Sequence, residues 1–215
     1  MMPGVFRLYS KDMLPLYLFV CVLFLMGVVF GALLVNSLTL QQKQEVGQYL
    51  DSFLQVYAVP ETAAAASEPK PVLEVFGSHA RWALFIWILG LSVVGVPIIL
   101  LLDFLKGVLV GFTVGYLAGQ WSWRGIMFAF VSVAPQNIFI VPSILICSVA
   151  AISFSILLVR NRLFQRAGTV GPPLMTFTFV TFALTGLLFG VAAFEAYISP
   201  ELLKWAVPTL LEAGV

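Results

Sequence analysis

Apolar positions along this chain gather into long runs broken by short polar stretches, the pattern of helices that cross a bilayer. Residues 14–35 carry no charge and would extend about 33 Å as a helix. Arg7 and Lys11 precede them. A cleaved signal peptide would have a shorter apolar stretch and a small-residue cleavage site, so an uncleaved anchor is expected. Residues 82–102 form a second run between Arg81 and Asp103, with Trp82 and Trp87 near its start and Pro97 predicting a kink. Residues 104–120 make a third, closed by Trp121-Ser-Trp-Arg124. No charge occurs from Gly125 to Val159, too far for one straight crossing. Pro135 and Pro142 divide this stretch. The reading is a broken half-helix or turn over 125–137, with the break at Pro135-Gln-Asn137, and a span over 138–159. A basic loop at 160–173 leads to the last span, 174–198. Ser199-Pro200 then starts a terminal helix in segment 199–215. The predicted fold is an all-α, five-span membrane bundle.

Residues 36–80 are the one sizeable segment between spans. Val46, Tyr49, Leu50, Phe53, Leu54 and Tyr57 recur at helical spacing and form one apolar stripe. Gln41, Lys43, Gln44, Gln48, Asp51 and Gln55 fill much of the opposite face. Pro60 ends this helix, 61–71 reads as a linker, and Val72, Leu73 and Phe76 begin a second amphipathic piece. Two uses of the stripe follow: a helix lying on the leaflet or on the span ends, or one offered to the groove of a partner protein.

Composition agrees with a membrane chain: 61% of the 215 residues are hydrophobic and 10% charged, and mean hydropathy is +1.04. A net charge of +1 leaves no basic face for nucleic acid. Placing residues 1–13 in the cytoplasm puts Arg7, Lys11, Lys106, Arg160, Arg162 and Arg166 inside, against Lys43, Lys70, Arg81, Arg124 and Lys204 outside. That modest bias favours a cytoplasmic N-terminus and an outer C-terminus. Cys21 and Cys147 lie within apolar runs and read as small hydrophobes. One histidine, His79, is too few for a histidine metal site and reads as a surface residue. With no Ser-His-Asp set, His/Cys cluster or phosphate loop to assemble, the chain is expected to be no enzyme and to need no cofactor or metal.

Gly107, Gly111, Gly115 and Gly119 share one helix face and predict close packing, against another span of the same chain or a second copy in a homodimer. Asp103 and Lys106, three apart, are expected to pair at the membrane border. Glu195, near the far end of the last span, is expected to pair with Arg81 or Arg124. Asn137 can satisfy carbonyls freed by Pro135 and Pro142. That break, together with Glu195, supports an alternative reading as a small transporter or permease. A passive subunit of a larger membrane complex, needing only its glycine packing, is a third.

Several ordered runs resemble the stage II sporulation protein M family of endospore-forming bacteria. They are Phe24-Leu-Met-Gly-Val-Val-Phe-Gly-Ala32, Val35-Asn-Ser-Leu38, Leu105-Lys-Gly-Val108, Gly111-Phe-Thr-Val-Gly115, Phe130-Val-Ser-Val-Ala-Pro-Gln-Asn137, Ile152-Ser-Phe-Ser155 and Phe194-Glu-Ala-Tyr-Ile-Ser-Pro200. The resemblance covers nearly the whole chain. It implies a non-enzymatic protein of the engulfment machinery in the mother-cell membrane, at the sporulation septum and the engulfing membrane. It also implies two peptidoglycan-degrading partners, stage II sporulation proteins P and D, with P the more direct, positioned by this membrane scaffold.

Overall fold

The computed structural model describes residues 13–59, 71–92, 94–163 and 171–211, which form seven helices and no strand. These are α1 (Leu14–Ser37), α2 (Leu40–Ala58), α3 (Val72–Gly90), α4 (Gly95–Ser132), α5 (Ala134–Leu163), α6 (Gly171–Tyr197) and α7 (Ser199–Leu211). Among the described residues, five (α1, α3, α4, α5 and α6) are long and apolar enough to cross a membrane. The expected linker at 61–71 lies outside the described residues except for Pro71, the N-cap of α3.

Being apolar all round, α1 turns inward the face that carries Gly27 and Gly31, where a neighbouring backbone can approach. Val20, Phe24, Gly27, Gly31 and Val35 turn inward, while Leu18, Leu25, Val29 and Leu33 stay exposed. α1 and α4 run parallel in close backbone contact. A Cβ at Gly27 would meet the carbonyl oxygen of Phe104, and one at Gly31 that of Val108. From the other side, a Cβ at Gly107 would meet the carbonyl of Phe24, and one at Gly111 that of Val28. Gly115 faces Ala32, whose Cα would be 2.8 Å from the added carbon. Gly119, the next in the series, has open space: nothing lies within 4 Å of a Cβ there. The face of Gly107, Gly111 and Gly115 is thus filled by this chain's own α1, not by a second copy.

The second and third helices do not follow the hydropathy boundaries. α3 ends at Gly90 and the chain reverses before Gly95, within the expected 82–102 span. The reversal is tight: a Cβ at Gly95 would meet the carbonyl of Leu89, and one at Gly90 would lie 2.7 Å from Ala151 Cβ. Pro97 falls in the first turn of α4, where its missing N–H leaves no helix bond unmade, so it starts a helix instead of kinking one. Ser155 Oγ donates to the carbonyls of Gly90 at 2.7 Å and Ser92 at 3.2 Å, covering the C-terminal end of α3.

A second correction concerns 125–137. The helical path of α4 breaks at Trp121 (φ −122°, ψ 18°) and Ser122 (φ 50°, ψ −126°), ahead of the expected Pro135-Gln-Asn137 break. Residues 123–132 form a separate arm that doubles back on α4: a Cβ at Gly125 would meet the carbonyl of Leu117. Ser122 is the one non-glycine residue at positive φ among those described, a geometry costing about 1–3 kcal/mol that the packing around it must hold. From Ala134 the helix runs unbroken through Pro135, Asn137 and Pro142. Asn137 Nδ2 donates to the Val133 carbonyl at 2.8 Å, within the first turn.

α5 is the most enclosed span, its inward residues including Ile140, Ile144, Val149, Ala151 and Phe154. Around it close Val20 and Phe24 of α1, Ala83 and Ile86 of α3, Ile99 of α4, and Phe177, Leu188 and Val191 of α6. Phe154 and Phe177 stack at 5.4 Å between ring centroids. A second cluster caps one end of the bundle. It joins Leu54 of α2, Leu117 of α4, Phe128 and Ala129 of the arm, and Ala206 and Val207 of α7.

Candidate functional site

The cap encloses a cavity of about 730 Å³, open on one side, between α2, α3, α4, the arm, α5 and the α6–α7 junction. α2 is placed over it by two devices. Thr39 and Gln42 form a capping box: Gln42 N–H donates to Thr39 Oγ1 at 3.3 Å, and Thr39 N–H to Gln42 Oε1 at 3.0 Å. Tyr116 OH on α4 donates to the carbonyl of Lys43 at 2.9 Å, and Gln120 Nε2 donates to Tyr116 OH at 3.2 Å.

The stripe of α2 divides between two tasks. Leu54 is 2% exposed and locked into the cap cluster, with Leu50 and Tyr57 packed beside it. Leu54 therefore belongs to the chain's own core and is not available as part of a partner surface. Tyr49, 80% exposed, and Phe53, 42% exposed, remain accessible on the cavity wall, with Val46 beside them. Phe53 leans on Tyr57 at 5.2 Å between centroids.

Burial in this seam lifts the Tyr57 phenol above its ordinary value, with Lys204 of α7 pulling the other way. A folded-state value raised above the unfolded one contributes stability that is complete below about pH 10 and lost as pH climbs through the folded value. Wild-type protein should therefore lose thermal stability above about pH 10 that the Tyr57→Phe variant retains, measured as paired melting curves in detergent. Parallel losses in the two proteins would contradict this.

The polar lining comes from several helices. Glu74, Ser78 and Arg81 line the cavity from α3, Gln136 from α5 and Glu195 from α6. From sequence Glu74 and Ser78 have no assigned role and Arg81 only that of a partner for Glu195, although the i, i+4, i+7 spacing of the three marks one helix face. Glu195 pairs with neither predicted arginine. Its Oε2 lies 2.9 Å from Nε2 of His79, whose side chain is only 12% exposed, so the histidine ties α3 to α6 and is no surface residue. Arg81 Nε instead donates to the carbonyl of Gly77 at 3.1 Å. The pairing of His79 with Glu195 left no local signal, since they lie 116 residues apart.

Asp103 and Lys106 also depart from expectation. They form no ion pair, and Asp103 is no border residue. It is fully buried among α4 and α5, accepting a 2.8 Å hydrogen bond from Ser148 Oγ on Oδ1, while Oδ2 has no partner among the described residues. Lys106 turns to α3, its Nζ 5.7 Å from the centre of the Trp82 ring. Ser148→Ala would strip Asp103 of its donor and should cost about 1–3 kcal/mol, read as a lower melting midpoint in detergent. An unchanged midpoint would contradict the role given to this bond.

The transporter reading required a broken helix at 135–142, and that stretch is continuous. Nor do three or more His, Cys, Asp or Glu side chains gather as a metal site among the described residues. What the cap offers is a recess walled by aromatic rings with a mixed polar lining, in the size range that takes a small ligand or a few anchoring side chains.

Neither the curated proteins nor the solved structures contain a match to this chain. The family model for stage II sporulation protein M matches residues 20–200, which takes in four of the five span-length helices whole, most of α1 and all of the cap cavity's lining except Leu203. The chain belongs to the stage II sporulation protein M family and is a sporulation-related membrane protein.

Proposed function

We propose that this protein is a non-enzymatic scaffold that positions peptidoglycan-degrading partners at the sporulation septum while the mother-cell membrane engulfs the forespore. The observation carrying the proposal is the cap: α2 is pinned over the bundle by Leu54 and Tyr116, leaving Tyr49 and Phe53 exposed beside an open cavity. Exposed aromatic anchors next to a recess are the usual centre of a protein-binding surface. In this reading the N-terminus lies in the cytoplasm, and the cap and C-terminal segment face the wall. Stage II sporulation proteins P and D are the partners, P the more direct. Membership of the family supports that arrangement, and Arg160, Arg162 and Arg166 fall on the inner side in it. Lys106, counted inside from sequence, lies within span α4 and adds nothing to the bias.

The test is the septal position of fluorescently tagged protein P in sporulating cells that carry or lack this chain. Focused septal signal in the first and dispersed membrane signal in the second is the expected outcome. Septal focusing that survives loss of the chain would overturn the proposal.

A further inference from the structure

We infer that the arm, residues 123–132, is a lipid-facing wedge set into the membrane surface on the α2 side of the bundle. The reversal at Trp121 and Ser122 sends the arm back along the last turns of α4. Its inward residues Gly125, Phe128 and Ala129 lie against that helix, the two side chains packing in the cap cluster with Leu117 and Val114. From residue 114 to residue 121 an α-helix rises about 10 Å, so the arm runs beside the final part of a span instead of standing above it.

The opposite face carries Trp123, Ile126, Met127 and Phe130, at i, i+3, i+4 and i+7, and their exposures are 71%, 41%, 53% and 67%. Four large apolar side chains on one face of a three-turn helix are poorly suited to water. Two neighbours identify what covers them. Arg124, exposed beside Trp123 at the start of the arm, is its one charge; from Gly125 the sequence carries none onto α5, where Ile138 and Phe139 are exposed on a span-length helix. By contrast α2, which meets the same cluster, exposes Gln41, Gln44, Glu45, Gln48, Asp51 and Gln55, and its exposed apolar side chains (Leu40, Tyr49, Phe53 and Val56) are interleaved with them. The cap is therefore divided: α2 turns its outer face to water, and the arm turns its own to acyl chains, with the Trp123 indole at the headgroup boundary. The reversed backbone at 121–122 sits at the arm's upper end, where water and headgroups can satisfy it.

The test uses the full chain with Cys21 and Cys147 changed to Ala, reconstituted in phosphatidylcholine–phosphatidylglycerol vesicles. Single cysteines replace Met127, Phe130 or Gln48 and carry a small fluorophore. Positions 127 and 130 should be quenched several-fold more by nitroxide-bearing lipids than position 48, and position 48 several-fold more by aqueous iodide. Iodide quenching at 127 and 130 equal to that at 48 would overturn the inference, as would shielding of both from either quencher, the result expected if a second copy covered the arm. A readout that leaves the arm free of label is the native indole. Trp123→Phe should lower the fraction of tryptophan emission reached by lipid nitroxides, and an unchanged fraction would count against the wedge.

Discussion

Gly111→Leu should unseat α1 from α4 and lower the melting midpoint in detergent by roughly 6–12 °C. A Cβ there would meet the backbone carbonyl of Val28, with further Val28 backbone atoms at 2.6 and 2.7 Å, and backbone on both sides cannot step aside as a flexible side chain could. Overpacking of this kind costs about 3 kcal/mol or more, and each kcal/mol is worth about 2–4 °C in a chain of this length. Gly119→Leu is the internal control. It lies two turns further along the same glycine series but faces open space, so its midpoint should remain within about 2 °C of wild type. Equal losses in both variants would mean that α1 does not pack on α4 as described.

The largest functional effect should come from Tyr49→Ser combined with Phe53→Ser. Tyr49 is largely exposed, so its loss should change stability by no more than about 0.5 kcal/mol, and Phe53, which leans on Tyr57, should cost about 1 kcal/mol, leaving the cap folded. Aromatic anchors at a protein interface commonly carry more than about 1 kcal/mol each, so affinity for protein P in the double variant should fall by about 30-fold or more. Leu54→Ala separates surface from scaffold. It removes a buried side chain from the cap cluster and should cost about 2–5 kcal/mol in stability, losing partners only through unfolding of the cap. Full partner recovery with the double variant would favour a passive membrane subunit that needs its glycine packing alone.

How far the chain could be read without coordinates depended on whether hydropathy carried the relevant signal. The all-helical class and the number of span-length helices were legible, because long charge-free runs leave a membrane chain few other folds. Helix ends were less so. Residues 91–94 are mostly as apolar as their flanks, so hydropathy sees no turn between α3 and α4. The tight contacts at Gly90 and Gly95 mark it only once Ala151 and Leu89 are in place.

Charge misled in the same region. Asp103 looks like a border residue until Ser148, 45 positions away, is seen to supply its hydrogen bond. Proline misled at 135 because its role depends on position: in a first turn it opens a helix, and only deeper does it disturb one. The stripe of α2 was plain from periodicity, and Thr39-x-x-Gln42 carried a cap signal as well. Its division into a buried seam and an accessible pair was not plain, because α7 lies about 150 residues further along the chain.

In the proposed arrangement the cap faces the wall, where partners can gather on it. Single cysteines at Gln48, on the exposed face of α2, and at Ser92, in the turn at the opposite end of the bundle, test it in a background free of Cys21 and Cys147. In protoplasts of sporulating cells a membrane-impermeant maleimide should modify position 48 directly and position 92 only after permeabilisation. Reaction of 92 in intact protoplasts, with 48 protected until the membrane is opened, would contradict the account.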